Sequence, residues 1–192
     1  MAKIPWGKPR LFTKNVDVSN SKAYELATPV EDSTQLTPTK GDKLEAKIEG
    51  GENEDVKFKR STYALTYNIR KARGRKAPFP AVDGVVNAHF GIMLQPEDDD
   101  TEGFYIESST VSVDDTFTAA EGAIWAIQHD AVKAATGDTV KWGTVKVTTD
   151  NSTTTVVFTE KSSAESGDTP FTATWQLDET ANTNGAAGTA LP

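Results

Sequence analysis

The stretch Thr62-Tyr63-Ala64-Leu65-Thr66-Tyr67-Asn68-Ile69 alternates strictly, with Tyr63, Leu65, Tyr67 and Ile69 on one parity and smaller or polar residues on the other. A period of two, carried by aromatic and branched side chains, is the pattern of a strand with one buried face. The same period continues on both sides. Upstream, Leu44, Ala46 and Ile48 alternate with Glu45, Lys47 and Glu49. The turn composition Gly50-Gly51-Glu52-Asn53 follows, and then Val56 and Phe58 alternate with Lys57 and Lys59. That order predicts a hairpin whose opposite charges face each other across the strands. Downstream, Val86, Ala88, Phe90, Ile92 and Leu94 share a face as far as Pro96. Phe104 and Ile106 share one parity while Val111 and Val113 share the other, so a bulge is expected near Ser108-Ser109. Further strands are predicted over 140–149, 153–160 and 171–177, the last with Phe171, Ala173, Trp175 and Leu177 on one face. The fold class is mainly β: an antiparallel β-sandwich or half-barrel with at most one short helix and extended loops and termini.

Two stretches interrupt the alternation. Residues 72–84 hold two prolines and two glycines and form a loop long enough to have a task beyond connection. Thr118-Ala119-Ala120-Glu121 has the form of a helical capping box, and Ala120, Ala123, Ile124, Ile127 and Ala131 follow at helical spacing. Local signals there favour a short helix, although Gly122 sits early and Trp125, Ile127 and Ala131 also suit a strand. The chain divides into an N-terminal arm (1–22, with Pro5 and Pro9), a β-sandwich domain (23–177) and a flexible C-terminal tail (178–192).

At 192 residues the chain has the length of one domain and enough material for a core without staples. Cysteine is absent, which excludes disulfides, thiol nucleophiles and zinc–thiolate sites. No apolar run approaches the ~20 residues of a transmembrane helix, so no membrane anchor is expected. The first ten residues lack an apolar core of a secretory signal, and a cytoplasmic origin is expected. The formal charge of −8 argues against a general nucleic-acid binder.

Charge is unevenly spread. Lys57, Lys59, Arg60, Arg70, Lys71, Arg73, Arg75 and Lys76 run without an intervening acid. The remaining 12 bases stand against all 28 acids, a balance of −16. A solvated strand and basic loop would account for this. The alternative is self-complementarity, in which the loop of one copy meets an acidic face of the next. On that reading Arg70, Lys71, Arg73, Arg75, Lys76 and Phe79 are inter-subunit contacts.

Motifs for chemistry are sparse. Asp98, Asp100, Glu102 and Gly103 fall at the first, third, fifth and sixth places of a calcium loop, yet the twelfth place is Ser109 instead of a bidentate carboxylate. A solvated turn explains them better. No phosphate loop, nucleophile elbow or zinc-binding histidine pair occurs. His89 and His129 are the only histidines; both have structural explanations, and a scattered Ser/His/Asp site has no signature here. Trp142 and Trp175 would make a sugar-stacking platform if both were exposed; core packing is the ordinary alternative. No cofactor, metal or enzymatic activity is expected.

The succession 37–51 (Thr-Pro-Thr-Lys-Gly-Asp-Lys-Leu-Glu-Ala-Lys-Ile-Glu-Gly-Gly), 63–76 (Tyr-Ala-Leu-Thr-Tyr-Asn-Ile-Arg-Lys-Ala-Arg-Gly-Arg-Lys) and 82–86 (Val-Asp-Gly-Val-Val) resembles major tail tube proteins of bacteriophages and prophages. The likeness continues through 93–98, 103–107, 111–122 and 140–143 and covers roughly residues 33–149. It implies a subunit that closes into hexameric rings, which stack around a channel with an acidic lumen. Loops and termini would bridge neighbouring subunits. The partners implied are the chain itself and other tail proteins, with genome DNA passing through without specific binding. Localisation would be the host cytoplasm during assembly and then the virion tail. The resemblance also favours a strand over 124–133, and we adopt it. The competing readings are a carbohydrate-binding or adhesin-like β-sandwich, which expects secretion, and a small hydrolase built on carboxylates, for which nothing selects a pair.

Overall fold

In a computed structural model, residues 7–161 and 170–178 are described. Thirteen strands and no helix are found among them. The first five are β1 (Arg10–Asn15), β2 (Tyr24–Glu25), β3 (Gln35–Thr39), β4 (Lys43–Lys47) and β5 (Asn53–Phe58). Next come β6 (Thr62–Arg70), β7 (Ala81–Val82), β8 (Val85–Gln95) and β9 (Gly103–Thr118). The chain continues with β10 (Gly122–Ala131), β11 (Val140–Asp150), β12 (Thr153–Glu160) and β13 (Thr172–Gln176). All ladders between named strands are antiparallel, in one sheet of eleven strands and one of two.

The 16-residue β9 organises the large sheet. Along one edge it pairs with β8, which pairs in turn with β1. Along the other it pairs first with β11 and then with β10. Three layers result. The central one, β1, β8 and the start of β9, buries side chains on both faces. One face meets β6 and β10 through a core including Leu11, Leu65, Tyr67, Phe90, Ile92 and Ile127. The opposite parity, Phe12, Met93 and Tyr105, meets β11–β13 through Val145, Phe158 and Trp175. A parallel bridge between Ala23 and Leu177 joins the strand ends. Ala23 N donates to Gln176 O (2.8 Å) and Asp178 N to Ala23 O (2.7 Å). These bonds complete a ring of strands, β9–β8–β1–β2–β13–β12–β11, around the second core.

The period-two segments become strands, and outside the β4–β5 hairpin they bury the predicted faces; in the hairpin Leu44, Val56 and Phe58 stay exposed. The bulge is present: Phe90 pairs with Ser109 but Ile92 with Ile106, so β9 carries one extra residue between them. The capping-box bond also forms, Glu121 N donating to Thr118 Oγ1 (3.1 Å), but it closes the turn between β9 and β10. Gly122 has φ 78°, and β10 is held by ladders on both edges, which overrides the helical spacing.

Three expectations are corrected. The arm does not extend to residue 22: Arg10–Asn15 is a ladder strand on β8, with Leu11 and Phe12 at 1% and 0% exposure. In the β4–β5 hairpin Glu45 faces Val56 and Leu44 faces Lys57, so direct cross-strand partners are not opposite charges. The ion pairs instead run along each strand, Lys43 with Glu45 and Lys57 with Asp55, and Lys59 meets Asp42 (2.9 Å) at the base. Third, Asp178 is tied to Ala23 and is not tail; residues 179–192 lie outside the described residues.

Gly103 and Gly143 pair directly where β9 meets β11. A Cβ on Gly103 would overlap Leu94 O, and one on Gly143 would overlap Thr159 O, both backbone atoms that cannot swing away. Gly103→Ala is expected to destabilise the fold by about 3 kcal/mol, read as a lower urea midpoint; an unchanged midpoint would show that β8 can shift freely.

Candidate functional site

The basic loop follows β6, and its two halves are built differently. Its root is fastened to the body of the chain. Arg70 Nη1 donates to Glu121 O (2.5 Å), and Lys71 N donates to Ala123 O (2.8 Å). Lys71 Nζ meets Asp115 Oδ1 (2.8 Å) and lies 5.3 Å over the Trp125 ring. Arg75 turns inward: its Nη1 donates to Arg70 O (2.7 Å), and its Nε is buried without a partner among the described residues. Gly74, at φ 81°, makes the reversal that brings Arg75 back, with Arg75 N donating to Ala72 O (3.0 Å).

Phe79 is not a surface contact. It is 2% exposed, with its ring edge-on to Phe90 (4.9 Å) and His129 (5.3 Å). Tyr24 Oη donates to the neighbouring Pro78 O (2.9 Å), pinning this end of the loop into the core. Of the six predicted contacts, only Arg73 and Lys76 are exposed at the tip with no bond to another described residue.

His129 lies behind this loop, fully buried between Tyr67 and Ser109. Ser109 Oγ donates to Phe90 O (2.6 Å), so it accepts from His129 Nδ1–H (2.9 Å). That leaves Nε2 to accept from the Tyr67 hydroxyl (2.8 Å), an assignment made from the network. Burial pushes the imidazole pKa down to about 3 and the Tyr67 phenol well up. Both are therefore neutral at ordinary pH. The imidazole donates to the serine instead of accepting its proton, so the pair is not arranged as base and nucleophile. It satisfies buried polar groups. His89 is exposed, and its Nδ1 faces Asp17 (3.1 Å), whose carboxylate also accepts from His89 N (2.7 Å).

The acidic turn has its own cations. Lys146 Nζ meets Asp100 Oδ1 (2.8 Å), and Lys161 pairs with Glu102. Asp98 O accepts from Thr101 N (3.0 Å) and Thr101 Oγ1 (2.6 Å) in a tight turn. Ser109, the twelfth place of the calcium spacing, is buried on Phe90 O and cannot serve that loop.

Trp142 and Trp175 are separated. Trp175 packs on Tyr105 inside the second core, whereas Trp142 is 48% exposed and meets Phe104 edge-on. Trp142 walls an open groove of ≈ 830 Å³ at the start of β9, with Pro29, Pro96 and Phe104 beside it and Glu31, Asp32 and Glu102 on its rim. The sequence marked Trp142 for a different partner, and only the fold brings Glu31 and Asp32 to it. A second cleft, ≈ 380 Å³, lies beside the basic loop and is lined by Asp83, Asp114, Asp115 and Trp125.

Comparison of the chain with protein-family models finds no match. Comparison with curated proteins finds no similar sequence.

Proposed function

We propose that this chain is a major tail tube subunit of a bacteriophage or prophage, a structural protein that assembles into stacked, six-membered rings around a DNA channel. The observation that carries the reading is the exposed tip Arg73–Lys76, which no acid among the described residues neutralises although acids outnumber bases by 28 to 20 over the chain. A charge pattern of this kind steers copies together and fixes their register. The open edge of β3, whose one ladder among the described residues is with β6, offers a strand that assembly would cover. Sedimentation velocity over a range of concentrations tests the proposal: large species should grow with concentration and recede as salt screens the loop. A monomer at every concentration and salt would contradict it. The assembled protein should show no useful affinity for duplex DNA, because its net negative charge repels phosphates.

A further inference from the structure

The basic tip and the Trp142 groove sit at opposite ends of β9. Arg70 lies in register with Ile124 and hence with Thr116, while the groove is walled by Phe104. Twelve residues of strand at ~3.3 Å each separate them by about 40 Å along the chain. We propose that the Trp142 groove receives the Arg73–Lys76 tip of a second copy of this chain, an inference that rests on the self-assembly read above and names its acceptor. The chemistry matches on three counts. Glu31 and Asp32 are exposed and form no bond with any described cation, so they are available to a guanidinium or ammonium. The half-exposed Trp142 ring offers the π-face over which arginine stacks. Among the described lining residues Lys8 is the one cation, against Glu31, Asp32 and the Lys161-paired Glu102.

Placement decides between this groove and the Asp83–Asp114 cleft. That cleft adjoins the loop of its own subunit, with Ala77 and Phe79 among its lining. A tip docking there would pair two copies reciprocally and stop at a dimer. Complementary surfaces at opposite ends make a head-to-tail contact, which propagates into rings or filaments.

A charge exchange tests the proposal. One variant carries Glu31→Lys and Asp32→Asn, asparagine because the Asp32 backbone has φ 56°. The other carries Arg73→Glu and Lys76→Glu. Each alone should raise the concentration needed for assembly, seen by light scattering, at least about tenfold. Mixed in equal amounts they should assemble again, since each reversed loop then finds a reversed groove. Trp142→Ala, at a half-exposed ring that also packs on Phe104, should weaken assembly strongly while lowering the thermal midpoint only modestly. Groove variants that assemble like the wild type would overturn the proposal, as would a mixture that stays dissociated. Loss of assembly on changing Asp83 and Asp114 instead would move the acceptor to the other cleft. A wild-type protein that never self-associates would remove the tube reading and this one together.

Discussion

Arg73, Arg75 and Lys76 changed together to glutamate are expected to abolish self-assembly while the isolated subunit unfolds almost as before. The two effects differ because the three side chains make few contacts at home. Among the described residues the side chains of Arg73 and Lys76 form no bond, and that of Arg75 forms one, to Arg70 O. Losing that bond costs about 1 kcal/mol. Reversing charges that pair across an interface costs ~2–5 kcal/mol for each buried partner left behind, and every contact in an assembly repeats the loss. Urea unfolding of the monomer should therefore shift little while large species vanish from sedimentation profiles. Arg75→Glu alone should act mainly on the loop's shape, and Arg73→Glu with Lys76→Glu mainly on assembly. Normal assembly by the triple variant would place the contact elsewhere, and failure to fold would make the loop structural.

The second large effect is a dependence of stability on pH set by His129. Its imidazole is held near 3 in the folded chain by burial and returns to an ordinary value, 6.5, on unfolding. Between those values the unfolded chain binds a proton that the folded one does not, so stability falls as pH is lowered through the window. Between pH 6.5 and 5 the loss from this group is about 2 kcal/mol. Carboxylates held low behave differently: Asp17, accepting from the His89 N–H, and Glu45, bonded by Lys43, lose their contribution only toward and below their unfolded values. The interval above pH 5 is thus the one to read. His129→Gln should flatten the slope there while costing about 1–3 kcal/mol at neutral pH, since one hydroxyl of the buried network loses its match. An unchanged slope in that variant would assign it to another group.

The strands were legible in the sequence because one buried face leaves a period of two. Tyr63 to Ile69, Phe90 to Leu94 and Phe171 to Leu177 each carry it, and the parity switch in β9 marked its bulge within a residue or two. What escaped has physical causes. The Thr118–Glu121 capping bond is local and forms in a turn as readily as at a helix start; two long-range ladders decided β10. Pro9 misplaced the arm boundary because it precedes β1 without interrupting it. Phe79, among prolines and bases, carries no periodicity to show that it plugs the core beside His129. The acid-rimmed groove joins residues near 30, 100 and 142: the ladders of β9 with β8 and β11 place the last two, and the bonds Leu26 N to Leu11 O and Val30 N to Asn68 O place the first.

Negative-stain electron microscopy of the concentrated wild-type protein tests the central claim most directly. Six-membered rings with an open centre, stacking into tubes as concentration rises, are the predicted result. Fields of single, unassociated particles at the highest attainable concentration and across salt conditions would contradict the account.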